Sequence, residues 1–141
     1  MRDGELKMQG STLDLSQLRV MVIDDDDFQL DFATELLEEL GIKKVSTALG
    51  GDNALLNLNH QPAPDLIMCD IQMPGMDGFE VMRHLGDRHF QGAVILISGQ
   101  GAKVLYTASL VAQLARLHFL GTIEKPLRKE ALLPMLEKVL A

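Results

Sequence analysis

Four short segments of this chain end apolar runs with residues able to do chemistry: Val22-Ile23-Asp24-Asp25, Leu66-Ile67-Met68-Cys69-Asp70, Val94-Ile95-Leu96-Ile97-Ser98 and Ile123-Glu124-Lys125-Pro126. The first three runs read as buried parallel strands, since such strands are apolar on both faces. In an open α/β sheet the ligand crevice lies beyond the carboxyl ends of the strands. Three acids, a hydroxyl and an amine would then meet at one edge. Two carboxylates about 4 Å apart repel by about 4 kcal/mol at an effective dielectric near 20, so three together favour a bound cation or raised pKa values. Oxygen ligands with no thiolate or imidazole beside them select Mg²⁺ or Mn²⁺. Asp70 is placed to be a nucleophile that forms an acyl phosphate. Lys125 and a metal would offset charge on the moving phosphoryl group, and the Ser98 hydroxyl could hydrogen-bond one of its oxygens.

The elements that must position these groups follow from the spacing of apolar residues. Phe28, Phe32, Leu36, Leu37 and Leu40 recur at helical spacing after Asp26 and Asp27, which are expected to cap that helix, and Gly41 stops it. Val45 to Leu49 reads as a short strand, Asp52 as the cap of a helix reaching about Asn59, and Phe79 to Leu85 as a third helix capped by Asp77-Gly78. Lys103 to Leu117 reads as a long helix with Val104, Ala108, Val111 and Ala115 on its core stripe. Leu105, Leu110, Leu114 and Leu117 lie off that stripe, toward deep burial or a partner. Phe119–Ile123 is the fifth strand and Arg128–Leu140 the last helix, where Pro134 predicts a kink or a late start. Strand and helix alternate through five strands, which defines an α/β fold: a doubly wound, five-stranded parallel sheet. Residues 1–17 are polar, lack periodicity and read as a flexible extension ahead of a domain over 18–141.

Composition narrows the function. At 141 residues with one cysteine, the chain can build a single core without a disulfide. A formal net charge of −7 argues against direct contact with nucleic acid. No run reaches the roughly 18 apolar residues of a membrane span and no export signal is visible, so a cytoplasmic location is expected. Cys69 reads as a small buried hydrophobe, and the scattered His60, His84, His89 and His118 lack ligand spacing.

Over residues 18–140 the chain resembles a response-regulator receiver domain, with a flavodoxin-like (βα)5 fold. The resemblance implies that Asp24 and Asp25 bind Mg²⁺ together with Asp70 and the carbonyl of Gln72, and that Asp70 is the phosphoacceptor. Ser98 is implied as the switch hydroxyl, and Lys125-Pro126 as the site lysine and its cis-proline. Pro74 and Gly78 shape the loop that follows Asp70. The donor would be a sensor histidine kinase or histidine phosphotransferase, with a C-terminal output domain in the full protein and a second copy as a further candidate partner. Leu120 to Leu127 and the long helix also look like receivers fused to EAL-type cyclic-diguanylate phosphodiesterases. Thr122 stands where the family usually has an aromatic, which leaves room for a receiver-like interaction module that is never phosphorylated. An aspartyl phosphatase of the haloacid-dehalogenase type would need an acid where Gln72 stands.

Overall fold

The computed structural model describes residues 5–8 and 11–140. A five-stranded parallel sheet is built from β3 (Arg19–Asp24), β4 (Lys44–Leu49), β5 (Leu66–Asp70), β6 (Ala93–Ser98) and β7 (His118–Glu124), in the order β4-β3-β5-β6-β7. Five helices alternate with them: α1 (Asp27–Glu39), α2 (Gly51–Leu58), α3 (Gly78–Asp87), α4 (Leu105–Ala115) and α5 (Lys129–Leu140). Ahead of the sheet, β1 (Glu5–Met8) and β2 (Ser11–Asp14) pair as an antiparallel hairpin within the segment that shows no periodicity. Met1 to Gly4 and Gln9-Gly10 of that extension lie outside the described residues.

Alternate residues of each central strand enter two separate cores, which is why the strands read as unbroken apolar runs. Val20, Val22, Leu66, Met68 and Ile95 pack with Leu30 and Leu37 of α1 and Leu132 and Leu136 of α5. Met21, Ile23, Ile67, Cys69 and Leu96 pack on the other face with Ala54 of α2, Val81 and Leu85 of α3, and Ala108 and Ala112 of α4. Chain order reverses between β3 and β5, so the crevice of the sheet opens between the ends of these two strands. No helix among the described residues is long and apolar enough to cross a membrane.

Several elements differ from their sequence reading, each for a local reason. The core face of α1 is Leu30, Ala33 and Leu37, while Phe28 is 74% exposed and Phe32 also faces solvent. Both stripes repeat at helical spacing, so spacing alone does not choose between them. Asp52 lies in the first turn of α2, and Gly50, at φ 85°, takes the cap position because the chain must reverse sharply after β4. The segment after β6 opens with a 3-10 turn, Gly101–Val104, so the α-helix is shorter than expected at both ends. Its buried residues are Ala108 and Ala112, and Leu105, Leu110 and Leu114 are exposed. Finally, α5 starts at Lys129 and runs through Pro134 rather than starting late. Pro134 is on the exposed side, where water can serve the carbonyl that its missing N–H leaves free.

Candidate phosphoacceptor site

Asp24 ends β3 and Asp70 ends β5; both are buried, at 6% and 3% exposure, whereas Asp25 is exposed. Carboxylate oxygens of these three residues lie within 4.8 Å of one another. The following chain holds Asp24 and Asp70 in place. The Asp26 N–H donates to Asp24 Oδ1 at 3.0 Å, and the Asp26 carboxylate in turn accepts the Phe28 N–H at 2.9 Å as the cap of α1. Asp26 therefore does more than the capping expected of it. The Gln72 backbone N–H donates to the Asp70 carboxylate, which brings Gln72 to the site through its main chain.

Lys125, just past β7, places Nζ 3.2 Å from Asp70 Oδ1. Its position is set by a backbone bond from its own N–H to the Ser98 carbonyl at 2.8 Å and by a cis bond to Pro126. Ser98 is buried at the end of β6, and its Oγ accepts the Gln100 N–H at 2.9 Å. One of its lone pairs is thus occupied and its proton is free to point elsewhere. The loop after Asp70 carries Pro74, exposed, and Gly75 at φ 79° before Asp77 caps α3 by accepting the Glu80 N–H at 2.9 Å. Met73 is buried there, and half-buried Met76 packs against the same core, so both belong to the core.

Gly78 seats this loop. A Cβ on it would stand 2.8 Å from both the Asp70 carbonyl oxygen and Ile71 Cα, and backbone cannot step aside as a side chain can. Gly78→Ala is expected to cost about 2 kcal/mol and to weaken Mg²⁺ binding by displacing the end of β5; urea unfolding and a Mg²⁺ titration would check it.

The electrostatics follow from burial. Asp24 is pushed from 3.8 up to about 6, first by desolvation and then by the charge of Asp70. Asp70 is also raised by burial, against the opposing pull of the Lys125 ammonium. Burial, with the nearby acids, pushes the Cys69 thiol up, which makes it an inert core residue. A cluster holding more negative charge than its single lysine offsets, built from oxygen donors alone, fits a small divalent cation.

Comparison with known proteins agrees with this geometry. The family model of the response regulator receiver domain matches residues 20–137, and the chain belongs to that family. The cyclic di-GMP phosphodiesterase RocR of Pseudomonas aeruginosa is 28% identical over 88% of this chain and 32% of its own length. The C4-dicarboxylate transport transcriptional regulatory protein DctD of the same organism is 32% identical over 89% of this chain and 26% of its own length. The chain thus spans about a third or less of these relatives. Among solved structures, the CheX-CheY-BeF3-Mg+2 complex of Borrelia burgdorferi matches with a TM-score of 0.75 and 25% identity, covering 88% of this chain and 90% of that one.

Proposed function

We propose that this chain is a phosphoacceptor receiver in a two-component pathway, with Asp70 as the site of phosphorylation. The observation that carries this reading is the Lys125 ammonium 3.2 Å from a buried Asp70 carboxylate that also belongs to a three-acid cluster. A sensor histidine kinase or histidine phosphotransferase supplies the phosphoryl group. An oxygen of Asp70 attacks the phosphorus of the phosphohistidine, the P–N bond breaks, and the imidazole leaves with its electron pair. Lys125 offsets charge on the transferring group. The Ser98 hydroxyl, already anchored by Gln100, donates to one of its oxygens. Asp24, Asp25, Asp70 and the Gln72 carbonyl would hold Mg²⁺, which supplies Lewis-acid stabilisation of phosphoryl oxygens.

The change would be read by an output domain elsewhere in the full protein, and the relatives that span three times this length support that reading. We place the receiver at 18–141, preceded by the extension 1–17, and the protein in the cytoplasm. The domain is a phosphoacceptor rather than an enzyme acting on an external substrate. Gln72 offers no general acid for phosphoester turnover. Incubation with acetyl phosphate and Mg²⁺, then borohydride reduction, should convert Asp70 to homoserine, detectable in a tryptic peptide. Recovery of unmodified Asp70 with no acid-labile phosphate on the protein would refute the reading.

A second reading, an interaction module that is never phosphorylated, is favoured by the uncharged, exposed face of α4 and by Thr122, half-buried beside Leu96, in place of an aromatic. A complex with a partner whose affinity is the same for wild type and Asp70→Asn, without any Mg²⁺ binding, would support it instead.

A further inference from the structure

Three helices of this fold close in the same way. In α1 the Gly41 N–H bonds to the Glu38 carbonyl and the Ile42 N–H to Leu37. In α3 the same two bonds run from His89 to Gly86 and from Phe90 to Leu85, and in α4 from Arg116 to Gln113 and from Leu117 to Ala112. This motif needs its pivot residue in the left-handed region. The pivots Gly41, His89 and Arg116 sit at φ 95°, 56° and 58°. Glycine enters that region freely, while a Cβ is disfavoured there. His89 and Arg116 are the only non-glycine residues at positive φ among the described ones. Both helices thus keep a strained pivot where glycine would serve the backbone better, which points to a use for the side chains.

The two side chains line one groove. Gly86 lets α3 and α4 touch, since a Cβ on it would stand 2.6 Å from Ala115 Cβ. Beside this crossing a groove of about 670 Å³ opens, within the size range of small-molecule clefts. Phe79, Phe90 and Val111 line it from the core side, and exposed Leu114 borders it. Arg83 joins His89 and Arg116 around it. Neither guanidinium is ion-paired or hydrogen-bonded through its side chain among the described residues. Of the carboxylates lining the groove, Asp77 is engaged by the Glu80 N–H, and Glu80 and Asp87 pair with neither arginine. Free guanidinium groups match carboxylate and phosphate oxygens.

We propose that the α3–α4 groove binds a small amphipathic anion. An aryl or acyl body would rest on Phe79, Phe90 and Val111, and a carboxylate or phosphate head would be held by Arg83 and Arg116, with His89 beside them. The charged end of the groove lies away from Asp70: α3 starts beside Asp70, with Phe79 and Glu80 in its first turn, and runs to the opposite edge of the sheet, where His89 follows it and Arg116 precedes β7.

Amide NMR titration of the full chain with 1-naphthoate tests this, with 1-naphthyl phosphate in the absence of Mg²⁺ as a second arm to separate the two head groups. Neutral 1-naphthol and inorganic phosphate are the controls. Saturable shifts are expected at Gly86–Gln91 and Val111–Leu117, with each control at least about tenfold weaker. His89→Gly and Arg116→Gly should each raise Tm by about 2–4 °C while weakening 1-naphthoate binding by about tenfold. No saturable shift in the wild type, or 1-naphthoate binding unchanged in both variants, would show that the side chains serve only the helix ends, through favourable charge at a C-terminus, and would overturn the proposal. Equal binding of naphthol and naphthoate, or shifts that track protein concentration rather than ligand, would overturn it as well.

Discussion

Asp70→Asn is expected to lower phosphate incorporation from acetyl phosphate by at least about a thousandfold, with the fold intact. An amide has neither the nucleophilic lone pairs nor the charge of the carboxylate, but it has the same shape. Its oxygen can still accept from Lys125 Nζ, now 3.2 Å from Asp70 Oδ1, and from the Gln72 N–H. The fold therefore keeps its local hydrogen bonds while the reacting atom is lost. Removing one charge from a cluster in which burial already raises Asp70 should leave the metal-free melting temperature unchanged or slightly higher. Phosphate assay and thermal unfolding on the same preparation check both halves. Wild-type incorporation in this variant would move the acceptor elsewhere.

The second large effect is on stability. Asp24 binds its proton more tightly in the folded chain, at about 6, than at its ordinary value of 3.8. The folded state therefore holds more protons than the unfolded one between those values, and the metal-free fold loses stability as pH rises through that window. Above pH about 6 the penalty is complete, on the order of 2–3 kcal/mol, and it fades as pH falls toward about 4. Asp24→Asn keeps an oxygen to accept the Asp26 N–H. It should stabilise the metal-free domain by about 2 kcal/mol at pH 7, remove this part of the pH dependence, and weaken Mg²⁺ binding by more than about tenfold. Urea unfolding in EDTA across pH 4 to 8 checks it. A variant less stable than wild type at pH 7 would show that the acids do not crowd one another.

The site was legible because Asp24, Asp70 and Ser98 each end a buried strand. Val94 to Ile97 and Leu66 to Cys69 are apolar on both faces, so the runs announce themselves, and parallel strands bring Asp70 and Ser98 to the same edge. Local chemistry also carried the caps at Asp26 and Asp77. The other features depend on tertiary packing. Phe28-Phe32 and Leu30-Ala33-Leu37 are equally periodic, and only the position of β3 and α5 decides which stripe is covered. The bulge at Leu120, which passes unpaired as Val94 meets Phe119 and Ile95 meets Gly121, has no mark in the sequence except a glycine. The left-handed ends at His89 and Arg116 have none, because such an end is ordinarily marked by glycine or asparagine. The hairpin β1–β2 arises in a segment too polar to reveal it.

The central claim is that Asp70 accepts a phosphoryl group and that the fold responds. Amide NMR spectra with Mg²⁺, before and after beryllofluoride, address it most directly. The account predicts large shifts at Asp70, Ser98 and Lys125 that spread through Gly101–Val104 into α4, all absent in Asp70→Asn. An unchanged wild-type spectrum, or the same shifts in Asp70→Asn, would contradict it.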